Sequence, residues 1–169
     1  MKQITAVCPG SFDPVTLGHL DIISRASAMF DRVLVVVMSN PEKKPCFSVE
    51  ERMDMLHMAI SAANGIKNTQ IDTYTGLLAN YVREKNASAI VKGLRAVSDF
   101  EYEFQMALTN EKLNPRAETV FLTTRSENMY LSSSIVRAVG SMGGDISDFV
   151  PPVIHDAIKK RLIKNRTLL

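Results

Sequence analysis

Four stretches of this sequence carry side chains from which chemistry could be built. The first is Pro9-Gly10-Ser11-Phe12-Asp13-Pro14-Val15-Thr16-Leu17-Gly18-His19. Its prolines stiffen the chain and its glycines let backbone approach a ligand closely. Ser11, Thr16 and His19 surround what reads as a helix start, where free N–H groups favour anions. The second stretch, residues 39–47, holds Lys43 and Lys44 between Pro41 and Pro45. The third is Lys92-Gly93-Leu94-Arg95, in which the glycine is expected to let the backbone turn at a strand's end, leaving two cations flanking one spot. The fourth runs from Asn128 through Met129, Tyr130, Leu131 and the triplet Ser132-Ser133-Ser134 to Arg137. One of three serines at a helix start serves as a cap, and the others are spare hydroxyls. Cations, hydroxyls and helix N-termini together suit phosphate groups. Neither of the two common glycine-rich phosphate-loop signatures occurs, so a phosphate site here uses other geometry. Each stretch also has a plain structural reading: Thr16 as a cap with His19 on the surface, the paired lysines in solvent, Phe100, Tyr102 and Phe104 as helix packing.

The elements that must position these residues alternate in kind. Short apolar, partly β-branched runs occur at Ile4–Cys8, Val33–Met38, Thr69–Tyr74, Ala89–Val91 and Thr119–Leu122. Continuous rather than alternating apolarity suits strands buried on both faces, as in a parallel sheet. Helical periods lie between them, over Leu20–Phe30, Leu77–Glu84, Phe100–Leu113 and Ser133–Val139. Ser48-Val49-Glu50-Glu51 is a capping box opening a further helix through Met53, Leu56 and Ile60. Pro151-Pro152 precede a last helix, Val153–Ile163, whose Lys159, Lys160, Arg161 and Lys164 read as a solvated basic face. The expected fold is α/β: one domain over residues 1–169, an open parallel sheet of about five strands with helices on both faces and a C-terminal helix near 151–164. Ligands of such sheets sit at the carboxyl ends of the strands, where all four stretches fall.

Composition narrows the partners. A chain of 169 residues, 46% hydrophobic and 22% charged, is ordinary for a globular domain and excludes disorder or a disulfide scaffold. The net charge of +2, without a basic stripe, gives no reason to expect nucleic acid or a membrane. Cys8 and Cys46 show no zinc-type or redox spacing. With no signal-peptide core and no apolar run of about 18 residues, the expected location is cytoplasmic.

The first stretch resembles the signature of the nucleotidyltransferases of the class I aminoacyl-tRNA synthetase-like superfamily, in which a His-or-Thr, any residue, Gly, His element lies against the ATP phosphates. Here that element is Thr16-Leu17-Gly18-His19. The preceding Pro-Gly-Ser-Phe-Asp-Pro, and Gly93-Leu94-Arg95 followed by Asp99-Phe100-Glu101-Tyr102-Glu103, resemble the phosphopantetheine adenylyltransferases. The serine stretch is similar to the superfamily's second nucleotide signature, and Arg137 fills its last position. The resemblance implies His19 as the catalytic residue. It implies ATP contacts from Ser11, Phe12, His19, Gly93, Leu94, Arg95, Glu103 and the run from Asn128, Met129, Tyr130 and Leu131 to Ser132, Ser133 and Ser134. For the acceptor it implies Ser11, Lys43, Leu78 and Lys92. Lys92 departs from the pattern, in which Arg is more usual; Lys keeps the charge and loses the planar fork.

The implied reaction is reversible transfer of adenylate from MgATP to 4′-phosphopantetheine, giving dephospho-coenzyme A and pyrophosphate. Mg2+ would arrive on the ATP, with no protein-built metal site. The same resemblance implies a homohexamer and feedback by coenzyme A. Two rival readings remain at this level: a nucleotidyltransferase of the same fold with another phosphate acceptor, and a nucleotide sensor without catalysis. A nucleic-acid-binding module is a more distant third.

Overall fold

A computed structural model describes residues 3–39 and 44–166. Its elements are β1 (Thr5–Gly10), α1 (Leu17–Met29), β2 (Arg32–Met38), α2 (Val49–Ala62), β3 (Thr69–Tyr74), α3 (Leu78–Glu84), β4 (Ala89–Leu94), α4 (Val97–Leu113), β5 (Glu118–Thr123), α5 (Ser133–Ser141) and α6 (Pro152–Arg166). A single 3-10 turn, Ser126–Asn128, lies between β5 and α5. The five strands form one sheet in the order β3-β2-β1-β4-β5, and every pair in it is parallel.

The apolar runs become strands because the sheet has no wet face at its centre. Val33, Leu34, Val35, Val36 and Val37 are all buried. Successive residues serve opposite cores: Ala6, Cys8, Val33 and Val35 face the side that holds Ile23, Leu56, Val136, Ile154 and Ile158 of α1, α2, α5 and α6. Val7, Leu34, Val36 and Ile90 face Tyr81 and Val82 of α3. Each such aliphatic side chain taken out of water contributes about 1.5–3 kcal/mol, so both layers are needed to hold the sheet.

The Ser48 cap is as the sequence implies: its hydroxyl accepts from the Glu51 N–H at 3.2 Å while Glu51 Oε2 accepts from the Ser48 N–H at 2.8 Å. Two expectations need correction. β4 does not stop at Val91 but continues to Leu94, pairing Lys92, Gly93 and Leu94 with Phe121, Leu122 and Thr123. Gly93 therefore makes no turn; it makes room, since a Cβ there would stand 2.9 Å from Ile22 Cγ1 on α1. The aromatic residues of α4 pack inward only in part, Phe100 meeting the Phe121 ring of β5 edge-on at 6.3 Å. Phe100, Tyr102 and Phe104 are 43%, 64% and 46% exposed, although the Phe100 and Phe104 rings stack on one another at 5.5 Å. Of α4, only Asn110 is buried among the residues from Phe100 to Leu113. Among the described residues no helix is long and apolar enough to cross a membrane. Cys8 and Cys46 are not joined in a disulfide.

Candidate active site

The order β3-β2-β1-β4-β5 sends the chain outward from β1 through β2 and β3, then back across to β4 on β1's other side. The loops after β1 and β4 consequently diverge and leave a crevice between them, the usual place for a ligand in a doubly wound sheet. A cleft of about 910 Å³ occupies it, lined by the loop after β1, Lys44 and Pro45 after β2, Lys92, Gly93 and Arg95 from β4 and its end, and the segment from Thr124 into α5.

His19 sits at the third position of α1. Thr16 caps the helix through its hydroxyl, which accepts from the His19 N–H at 3.3 Å. The histidine ring completes the box, Nδ1 accepting from the Thr16 N–H at 3.0 Å. An imidazole nitrogen that accepts cannot carry the proton, so the neutral ring bears its hydrogen on Nε2. Burial, and then the charges of Arg95 and Lys92, push the His19 pKa from 6.5 down to about 4. The ring is further fixed by an edge contact with Phe12 at 5.0 Å. Phe12 holds φ +46°, a left-handed conformation that costs a non-glycine residue roughly 1–2 kcal/mol. Its ring lies where a Gly10 Cβ would stand, 2.9 Å from Phe12 Cζ, which is why residue 10 is glycine.

The three serines are used differently. Ser132 is the α5 cap, accepting from the Ile135 N–H at 3.1 Å. Ser133 donates to the Pro14 carbonyl at 2.7 Å, tying α5 to the loop after β1. Ser134 Oγ accepts from Arg137 Nη2 at 3.3 Å. All three line the cleft beside the open N-terminus of α5. Across it, Lys92 Nζ pairs with Glu103 Oε2 at 3.2 Å, and Arg95 Nη1 donates to the Leu131 carbonyl at 3.0 Å.

The cleft thus gathers Ser11, Phe12, His19, Lys92, Gly93, Arg95, Glu103, Asn128, Leu131, Ser132, Ser133 and Ser134 from the expected set. Leu94, Met129 and Tyr130 stand beside it without lining it; Tyr130 instead meets the Phe149 ring at 5.7 Å. Leu78 does not line the cleft; like Tyr74 and Met38 it packs against the cluster of Val7, Leu34, Val36 and Tyr81, and Met38 of this group does line the cleft. Lys43 lies outside the described residues, while its neighbour Lys44 lines the cleft. Sequence reasoning missed Asp13 and Arg52. Asp13 is buried within the first motif, accepting from the Cys46 and Phe47 amides at 2.9 Å each. Arg52 is buried and donates to the Ser11 carbonyl at 2.9 Å and the Ser48 carbonyl at 3.2 Å. Its position four residues after the Ser48 cap was the one available signal. Arg161 is a correction: Lys159, Lys160 and Lys164 are exposed as expected, but Arg161 pairs with Glu51 and donates to the Cys46 carbonyl at 3.2 Å.

A five-stranded parallel sheet whose switch-point cleft opposes a Thr-x-Gly-His helix start to a serine-rich one, with cations between, defines a nucleotidyltransferase. The cytidylyltransferase-like family profile matches residues 7–139. The fold resembles the nicotinic acid mononucleotide adenylyltransferase of Plasmodium falciparum in complex with NaAD, with a TM-score of 0.68 and 16% identity over 97% of this chain and 96% of that one. It also resembles the bifunctional NMN adenylyltransferase/ADP ribose pyrophosphatase of Francisella tularensis (TM-score 0.72, 15% identity), over 98% of this chain and 53% of that one. At such identities these likenesses speak for the fold alone. In sequence the chain is 49% identical over 160 residues to the phosphopantetheine adenylyltransferase of Caldanaerobacter subterraneus subsp. tengcongensis, covering 95% of this chain and 98% of that one. It is 53% identical over 155 residues to that of Alkaliphilus metalliredigens, covering 92% and 97%. The chain belongs to the phosphopantetheine adenylyltransferase family.

Proposed function

We propose that this enzyme transfers adenylate reversibly from MgATP to 4′-phosphopantetheine, releasing pyrophosphate and forming dephospho-coenzyme A. The observation that carries the reading is the Thr16 N–H bond to His19 Nδ1, which leaves Nε2 to donate, in a cleft also lined by Lys92, Arg95 and the α5 serines. The acceptor is a phosphate monoester with a second pKa near ~6, so it is largely dianionic at neutral pH and needs no general base. The difficulty is electrostatic, because two anions must meet and charge grows around the α-phosphorus. Preorganised donors and cations meet that need without a covalent intermediate.

In this assignment His19 donates from Nε2 to the α-phosphate as charge develops there. Ser132, Ser133, Ser134 and the α5 N-terminus hold the leaving pyrophosphate end together with Arg95. Lys92 holds the acceptor phosphate, Lys43 is assigned to it by family resemblance, and Ser11, which lines the cleft, is assigned to both substrates. Phe12, Gly93, Leu94, Glu103, Asn128, Met129, Tyr130 and Leu131 are assigned to the nucleotide. Leu78 is assigned to the pantetheine arm by family resemblance; it packs against the same cluster as Met38, which lines the cleft. Hydroxyls and cations dominate the phosphate end, and its carboxylates are engaged: Glu103 by Lys92, Asp13 by two amides and Arg137. Such a donor set fits Mg2+ held on the nucleotide's own oxygens, where it would neutralise phosphate charge.

We further assign the chain to the cytoplasm, and to a homo-oligomer, a hexamer by family resemblance, in which the exposed aromatic face of α4 is covered by a second copy. Feedback by coenzyme A, which carries the same pantetheine arm, belongs to this reading. The test is incubation with MgATP and 4′-phosphopantetheine, with mass detection of dephospho-coenzyme A and parallel runs with nicotinate mononucleotide and glycerol phosphate. Product from either alternative acceptor alone would replace this assignment.

A further inference from the structure

Arg137 lies one turn of α5 beyond the serine triplet, and its guanidinium, though partly exposed, is engaged within the fold. Its Nη2 donates to Ser134 Oγ at 3.3 Å. Its Nη1 donates to the carbonyl oxygen of Asp13 and stands 3.4 Å from Asp13 Oδ2. The same Asp13 carboxylate accepts from two consecutive amides of the segment after β2, Cys46 N–H on Oδ2 and Phe47 N–H on Oδ1, both at 2.9 Å. Those amides follow Lys44 and Pro45, which line the cleft. Residues 44–47 belong to neither strand nor helix, so no ladder fixes their backbone. Burial of the Phe47 ring and the Arg161 bond to the Cys46 carbonyl anchor part of this segment, and the two amide bonds to Asp13, charge-assisted and therefore of the stronger kind, fix its backbone. Asp13 is only 7% exposed, and a buried carboxylate stripped of its counter-charge is costly. Arg137, with 35% of its side chain exposed, is the replaceable member of the pair.

We propose that Asp13 and Arg137 are positioning residues for the acceptor half of the cleft. The path Ser134–Arg137–Asp13–Cys46/Phe47 holds the 44–48 segment in register with the serines of α5, so that the loop receiving the second anion is set by the helix receiving the first. This rests on the adenylyl-transfer reading above. It differs from a direct role for Arg137 on the nucleotide, because the guanidinium acts through Asp13 on the segment that follows β2.

The experiment compares wild type with Arg137→Met and Arg137→Lys by two readouts. Amide hydrogen exchange at Cys46 and Phe47 needs no substrate, and Arg137→Met is expected to speed it about tenfold or more, with Arg137→Lys restoring part of the protection. In steady-state kinetics Arg137→Met is expected to raise KM for 4′-phosphopantetheine about tenfold while KM for ATP stays within about threefold. Asp13→Asn should give the same signature, and the double variant should be no worse than Asp13→Asn alone, as for residues on one path. Should Asp13→Asn not fold, the two Arg137 variants decide. Unchanged exchange at residues 46 and 47 overturns the proposal. So does a rise in KM for ATP that equals or exceeds that for the acceptor, which marks a direct ligand or general loosening. If wild type does not adenylate this acceptor, the adenylyl-transfer reading falls, and exchange alone then decides whether the path exists.

Discussion

The Thr16 amide donates to Nδ1 of His19 at 3.0 Å, so the residue that caps α1 also dictates which nitrogen of the histidine carries the proton. Cap and tautomer are one device. The His19 N–H returns to the Thr16 hydroxyl at 3.3 Å, which closes the box and fixes the ring's base on the helix. A ring placed in this way needs no reorganisation when charge develops beside Nε2, the property that gives oxyanion-type donors their value.

His19→Ala should therefore lower kcat by about 10²–10³-fold, the range for losing one preorganised donor, with KM for ATP little changed. The substitution also removes half of the capping box, so thermal unfolding should be followed alongside; caps are worth about 0.5–2 kcal/mol. Turnover within roughly threefold of wild type, under ~1 kcal/mol of barrier, would sink the assigned role.

The pH dependence follows from the lowered His19 pKa. Between its folded value of about 4 and its ordinary 6.5, the unfolded chain binds a proton that the folded chain refuses. Stability should accordingly rise with pH across that window and level off above it. Burial and the charges of Arg95 and Lys92 are the cause. The carboxylates held below their ordinary range by hydrogen bonds and cations, Glu51 and Asp145 among them, act in the same direction: their stabilisation is present above that range and is lost as pH falls through it. Urea unfolding at pH 5 and pH 7 should show a stability difference that His19→Gln shrinks. Turnover should keep its acid limb near ~6 in wild type, since that limb belongs to the acceptor phosphate's second ionisation and not to the histidine.

Much of this was legible in the sequence because it is local. Continuous valines dictate a strand buried on both faces, and Ser48 with Glu51 dictates a helix start. The four cleft stretches announce themselves because each lies between a strand and a helix. What was not legible is what two distant segments do to one another. Asp13 is a motif letter until Cys46 and Phe47 arrive to use its carboxylate. Arg161 belongs by composition to a basic face, yet it reaches Glu51 and the Cys46 carbonyl across the fold. Gly93 looks like a turn glycine until α1 packs Ile22 against it. The length of β4 was misjudged for the same reason: Lys92 and Gly93 are poor strand formers in isolation, and pairing with Phe121 and Leu122 overrides that.

Lys92→Arg tests the departure from the family pattern. Lys92 Nζ already meets Glu103 Oε2 at 3.2 Å, and an arginine fork can keep that partner while presenting a second donor to the cleft. Turnover with 4′-phosphopantetheine should stay within about threefold of wild type, whereas Lys92→Met should raise KM for that acceptor by about tenfold or more. Initial rates over a range of acceptor concentrations at saturating ATP give both numbers. A loss above about tenfold in Lys92→Arg would mean the acceptor pocket is shaped to lysine and differs from its relatives.

The last prediction concerns α4, whose stacked Phe100 and Phe104 and neighbouring Tyr102, Met106 and Leu108 are 37–64% exposed. Phe100, Phe104 and Leu108 recur at helical spacing on one side of α4, with Tyr102 and Met106 on another, and so much exposed apolar surface on one helix is what a second copy would cover. Sedimentation should accordingly give a species several times the 18.7 kDa of one chain, and Phe104→Asp should shift it toward that mass. A wild-type protein sedimenting at 18.7 kDa at micromolar concentration would refute the assembly. Glu103 lies between Tyr102 and Phe104 on the same helix and holds Lys92 in the cleft. A helix no longer braced by a neighbour would loosen that ion pair, so dissociation should also raise KM for the acceptor by several-fold, on the order of 1 kcal/mol. If Phe104→Asp dissociates the assembly yet leaves both KM values untouched, α4 serves assembly alone and the cleft is complete within one chain.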